Sequence, residues 1–209
     1  MITMSRKDEA YSYIRTKIIK GDFLPEQVLS ENTLTEKIGV SRTPVREALH
    51  QLSAEGLVDF VGRTTIVAPL TKKDVEETYE LRTLLETYAL EKTVARIPNE
   101  LLNQVEREFK EAAKEHDWQK YLEVDIKFHG LITNIHQKQF AQLLNIIRSQ
   151  TDRTRYINAH SKRSMDRSLE EHLQIIDKIR KRNFVEAKKA LEYHLQRVYE
   201  AVLEYIDYL

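Results

Sequence analysis

The sequence predicts a mainly α-helical chain in two parts: a small N-terminal unit of three helices closed by a β-hairpin, and a longer all-α antiparallel bundle of six or seven helices. Three observations predict it. Apolar residues recur at three- and four-residue spacing along most of the chain, the mark of helices that bury one face. Five glycines and four prolines in 209 residues leave little material for loops. Only the stretch Leu57–Ala68 groups β-branched and aromatic residues around turn residues, as a hairpin requires.

Composition narrows the function classes. A hydrophobic content of 41% suits one medium core plus a small domain, or two modest cores, and 32% charged residues imply well-solvated helix surfaces. The chain has no cysteine, so a disulfide framework and thiolate metal ligation are both excluded. The N-terminal MITMSRKDEA carries no apolar run, and no window approaches the roughly 18 apolar residues of a membrane span. The expected location is cytoplasmic, with no membrane partner.

Taken in order, Lys7–Lys20 forms a first helix with Ala10, Ile14, Lys17 and Ile18 roughly in phase, ended by Gly21. Glu31–Ile38 forms a second, with Leu34 and Ile38 on one face, and Gly39-Val40-Ser41 is the turn, where Gly39 takes a positive φ. Thr43 is the expected N-cap of a third helix, with Pro44 at its first position. Val45, Ala48, Leu49 and Leu52 then face inward, while Arg46 and His50 lie on the opposite face. Ser41, Arg42 and Thr43 crowd the helix start, so the helix can enter a major groove N-terminus first. Strands Leu57–Val61 and Ile66–Ala68 around Gly62-Arg63-Thr64-Thr65 complete a winged helix-turn-helix, whose wing tip offers Arg63 and two threonines to DNA. Residues 1–69 hold nine Lys/Arg and nine Asp/Glu, so phosphate binding rests on local clustering, not on bulk charge.

The domain boundary falls near Ala68-Pro69-Leu70-Thr71, giving a winged-helix domain over 1–70 and an all-helical domain over 71–209. Helices are expected at about 72–96, 99–115, 118–137, 139–158, 166–181 and 184–207, with a break signalled at Ser161–Ser164. In the third of these the inward stripe is Trp118, Tyr121, Leu122, Asp125, Phe128, Ile132 and Ile135, with His129 one turn from Asp125. His172 lies beside the stripe Leu169, Leu173, Ile176 and Ile179, and His194 is in phase with Ala187, Ala190, Leu191, Val198 and Val202. A buried carboxylate and three core-phase imidazoles are costly unless each is satisfied. Separate hydrogen-bonded pairs could do this; one divalent metal on Asp125, His129, His172 and His194 would satisfy all four at once. His50, His116 and His160 lie elsewhere, and His136 sits at a helix end. The donor set suits Zn²⁺, Ni²⁺, Co²⁺ or Mn²⁺.

Residues 8–69 resemble the DNA-binding domain of the GntR family of bacterial transcription regulators, through Val40–Leu49, Leu52 and Glu55–Val58, here VSRTPVREAL…L..EGLV. The resemblance implies that Ser41, Arg42, Thr43 and Arg46 contact the operator and that Gly62 is the wing-tip glycine. Two positions depart from the pattern: Pro25-Glu26 replaces a usual Pro-Gly, and Asn32 stands where an arginine often reaches DNA, though Asn32 can still bond a phosphate or base. Residues 72–205 resemble the FCD effector domain of the FadR-like branch, many of whose members hold a metal with one Asp and three His. The matching positions are Asp125, His129 in Asp-x3-His, His172 in EHLQII and His194 in YHLQRV. The resemblance further implies open metal positions for a small carboxylate effector and an effector-binding Arg82 in YELRTLLE. Glu86, four residues later on the same helix, can orient Arg82 or be a surface charge. Gln137-Lys138 replaces a common Gly-Asn.

The resulting expectation is a regulator, in the sense of a repressor and not an enzyme. It binds a double-stranded operator as a homodimer, because one small winged helix makes few contacts, and senses a small carboxylate through a metal. The alternatives are a metal-free regulator of an acyl or apolar ligand, and a metal-dependent hydrolase or lyase with a DNA-binding appendage.

Overall fold

The computed structural model describes residues 4–159 and 162–206. The chain divides into two compact units, Met1–Thr71 together with Asn145–Arg153, and Lys72–Leu144 together with Thr154–Leu209.

In the first unit, α1 (Arg6–Ile19) is capped by Ser5, whose hydroxyl accepts the Asp8 N–H, and α2 (Glu31–Ile38) by Ser30, which accepts the Thr33 N–H. Gly39, at φ 76°, ends α2 in the left-handed region. The start of α3 (Arg42–Ala54) corrects the expectation: Ser41, extended at φ −73° and ψ 171°, is the N-cap, and Thr43 and Pro44 stand inside the first turn. Proline fits there because the first four N–H groups of a helix have no partner within it. The Ser41 hydroxyl makes no capping bond. Ala10, Ile14, Leu34, Val45, Leu49 and Leu52 join Leu57, Val58 and Val67 in one core.

The hairpin is tighter than expected. β1 (Val58–Val61) pairs antiparallel with β2 (Thr64–Val67), and the register Val61↔Thr64 leaves only Gly62-Arg63 in the turn, with Gly62 at φ 63°. Because β2 begins at Thr64, the two-residue alternation turns Thr65 inward with Val67; Thr65 is buried. The wing tip therefore exposes one threonine, Thr64, beside Arg63.

The middle of α7 packs with this first unit: Asp152 pairs with Arg15, and the Gln150 amide donates to the Glu55 carbonyl at 2.8 Å.

The second unit is built from α4 (Lys72–Thr93), α5 (Asn99–Glu115), α6 (Trp118–Ile132), the ends of α7 (Lys138–Ala159), α8 (Lys162–Arg180) and α9 (Phe184–Ile206). Its core gathers Phe109, Phe128, Ile132, Ile175, Ile176, Ile179 and Leu191; Ile175 is buried where Leu173 was expected, and Leu173 is half-buried. Helix α6 stops five residues short of the expected end. The Thr93 hydroxyl donates to the Ile132 carbonyl at 2.8 Å and the Thr133 hydroxyl to the His129 carbonyl at 2.7 Å, so side chains satisfy the last turn in place of further helix. Helix α8 starts at Lys162, ahead of the expected 166, so most of the break expected at Ser161–Ser164 is helix; His160 and Ser161 lie outside the described residues. Among the described residues no helix is long and apolar enough to cross a membrane.

Candidate metal centre and DNA-reading surface

Asp125 and His129 are four residues apart on α6 and so share one face. His172 on α8 and His194 on α9 complete a group whose ligand atoms all lie within 4.8 Å of one another. All three histidines are at most 3% exposed and Asp125 is 9% exposed.

Each imidazole is held by its Nδ1. His129 Nδ1 lies 2.6 Å from a Glu86 oxygen, His194 Nδ1 lies 2.8 Å from Glu171, and His172 Nδ1 lies 3.0 Å from the Tyr121 hydroxyl. Such outer partners fix the ring orientation and leave Nε2 for a metal. The Nε2 atoms of His129 and His172 are buried and have no well-formed hydrogen bond, although His172 Nε2 lies 3.1 Å and His129 Nε2 3.6 Å from Asp125 Oδ1. Arg155 Nε lies 2.8 Å from the other Asp125 oxygen, Oδ2. Orphaned buried nitrogens beside a carboxylate and a third imidazole are a donor set that fits a divalent ion.

The electrostatics keep the donors in ligating form. Burial pushes His194 down to about 3, helped by the nearby His172, and burial also lowers His172 against the pull of Asp125. Burial would raise Asp125, but Arg155 and His129 outweigh it and hold the carboxyl well below its usual range.

A 60 Å³ cavity opens beside this group, lined by Asp125 and His194, by the apolar Leu122, Met165 and Val198, and by Arg82, Arg155, Arg167 and Arg197. Arg82 is 2% exposed. Its Nε donates to Glu86 Oε1 at 2.7 Å, while its Nη2 is buried with no hydrogen-bond partner. Glu86 is itself buried, so it orients Arg82 and is not a surface charge. Sequence reasoning missed Glu171 and the cavity arginines Arg155, Arg167 and Arg197. Tyr121, expected as part of the apolar stripe, also serves His172 through its hydroxyl. Glu171 had a signal, being next to His172 in the chain; Arg155 had none, because α7 shows no regular apolar stripe around it.

On the first unit, Asn32, Ser41, Arg42, Thr43, Arg46, Gly62 and Arg63 are all exposed. Arg46 Nε donates to both Glu31 oxygens, at 2.9 and 2.8 Å. His50 packs on Phe60 of the hairpin, with ring centroids 4.9 Å apart.

A winged helix-turn-helix joined to an all-helical bundle with a buried His/Asp cluster defines a class, the two-domain DNA-binding transcription regulators. Residues 6–67 match the family described as bacterial regulatory proteins, gntR family, and residues 77–197 match the FCD domain. The chain belongs to the GntR family of transcription regulators, with an FCD domain. It is 30% identical over 190 residues to the HTH-type transcriptional regulator YdhC of Bacillus subtilis (strain 168), covering 88% of this chain and 85% of that protein. It is 31% identical over 134 residues to the gluconate operon transcriptional repressor of the same organism, covering 63% and 55%. Its fold is similar to the crystal structure of a GntR-family regulator from Rhodococcus sp. RHA1, with a TM-score of 0.80 at 23% identity, covering 96% and 99%. The family and these relatives are regulators, not enzymes.

Proposed function

We propose that this DNA-binding regulator is a repressor whose bundle holds one divalent ion on Asp125, His129, His172 and His194 and senses a small carboxylate gripped by Arg82. In this reading residues 1–70 bind the operator and 71–209 bind the effector. The observation that carries it is the pre-held set of imidazoles: every Nδ1 has a partner, and that arrangement serves a metal better than it serves an apolar core. The cavity supports a small acid over an acyl ligand. A water needs roughly 10–15 Å³ of such space, so 60 Å³ accommodates only a few heavy atoms, and four arginines suit anionic oxygens. The resemblance to a gluconate operon repressor supports the same direction. Asn32, Ser41, Arg42, Thr43, Arg46, Gly62 and Arg63 face the operator. Two copies bind two half-sites, and the exposed row Leu81, Leu84 and Tyr88 on α4 supports a homodimer.

The test is elemental analysis of protein purified without chelator or His-tag, followed by operator anisotropy titrations with a panel of small organic acids. About one ion per chain and a 5–150-fold weakening of operator affinity by one acid are expected. Absence of metal, with no thermal shift on adding Zn²⁺, Ni²⁺, Co²⁺ or Mn²⁺, would return the histidines to a purely structural role.

A further inference from the structure

Between the arginine that lines the cavity and the nearest histidine of the cluster stands one carboxylate with both oxygens committed. Glu86 Oε1 accepts from Arg82 Nε at 2.7 Å, and Glu86 Oε2 lies 2.6 Å from His129 Nδ1. Glu86 is 3% exposed, Arg82 2% and His129 3%, so water does not screen the chain of contacts. At its two ends lie the Arg82 Nη2 and the His129 Nε2, both buried without hydrogen-bond partners. We propose that Glu86 is a positioning residue that couples the anion site to the metal site, so that each ligand tightens the other. The proposal rests on the metal-and-carboxylate reading above and adds the residue that links the two.

The physical route is short. A cation at His129 Nε2 withdraws charge from the ring and makes its Nδ1–H a stronger donor to Glu86. An anion on Arg82 Nη2 neutralises the guanidinium and weakens its hold on the same carboxylate. Glu86 then becomes a better acceptor for His129, and His129 a better ligand. The coupling is positive and, by linkage, equal in both directions. A glutamine at 86 cannot serve both partners. If its oxygen faces Arg82, its NH₂ faces His129 Nδ1 and forces the tautomer that places a proton on the ligating Nε2; if it is flipped, two donors meet at Arg82.

The experiment uses the full chain and zinc alone, titrated against a chromophoric chelator, in a cycle of Arg82→Gln, Glu86→Gln and the double variant. Glu86→Gln should weaken zinc binding by about 10–100-fold. Arg82→Gln, which frees Glu86, should tighten zinc by about tenfold in the natural background and by less than about threefold with Glu86→Gln. An equal effect of Arg82→Gln in both backgrounds overturns the coupling while leaving the metal site standing. Failure of the natural protein to bind zinc, nickel, cobalt or manganese sinks the underlying reading instead. Should Glu86→Gln fail to fold, the Arg82 Nε–H resonance of the natural protein gives the same answer. It should move on zinc addition, and an unmoved resonance overturns the proposal.

Discussion

The two candidate functional surfaces of this protein hold their polar groups in opposite ways. In the bundle every cluster imidazole has its Nδ1 engaged by a buried partner, and Asp125 is flanked by Arg155. On α3 the Ser41 hydroxyl makes no capping bond and Arg46 meets Glu31 across an exposed pair. Burial explains the difference. A polar group taken out of water must be satisfied at once, whereas an exposed one can wait for DNA, since water meanwhile serves it. Preorganisation is therefore visible in one region and not required in the other.

Removing a ligand should separate the regions most sharply. His172→Ala or His194→Ala is expected to lose metal and lower the melting temperature together, because a ligand bound only to the native state stabilises it by about 4 kcal/mol at a thousandfold excess over Kd. The same variants, tested as full chains, should leave the pattern of operator contacts in footprinting unchanged; loss of metal without loss of stability would break the comparison.

Acid comes next in size. The folded state holds His194 neutral down to about 3 and also lowers His172, while unfolded histidines protonate near 6.5. Below about pH 6.5 the unfolded chain thus binds more protons, and stability falls as pH drops through the window from about 6.5 towards 3. Asp125 and Glu86, both held below their usual range, add a further loss once the pH falls below about 4. Calorimetry of metal-free protein at pH 7.5 and 5 measures the first loss, and equal melting temperatures would contradict it.

Smaller effects belong to the exposed face. Arg46→Ala is expected to cost roughly 1–3 kcal/mol of operator affinity with the melting temperature unchanged; an unaltered anisotropy titration removes the recognition role. Glu31→Gln frees Arg46 from an exposed, solvent-screened pair. It should raise nonspecific affinity slightly and steepen the salt dependence. A large fall in stability instead would make the pair structural.

Much of this was legible in the residues, for identifiable reasons. The hairpin and α2 were marked by Gly62 and Gly39, and the cluster by polar residues recurring in apolar stripes. The start of α3 was not legible, because Ser41 and Thr43 are both good caps by type and only the backbone angle of Ser41 decides between them. Thr65 was misplaced to the wing tip because a two-residue turn and a four-residue loop use the same letters. The end of α6 escaped because its carbonyls are met by Thr93, distant in sequence. Arg155 escaped for a similar reason: its partner, Asp125, lies on another helix.

The way the ligands are held has a consequence for heat and buffer. At neutral pH His172 and His194, both pushed below the ordinary imidazole range, are neutral and Asp125 is ionised, so under the proposed metal reading these three groups would have no protons to give up when a cation arrives. Metal uptake measured in Tris and in phosphate should then show nearly the same enthalpy, since little of it flows through the buffer. A metal held in this way would stay bound through a mild acidification that empties solvent-exposed histidine sites.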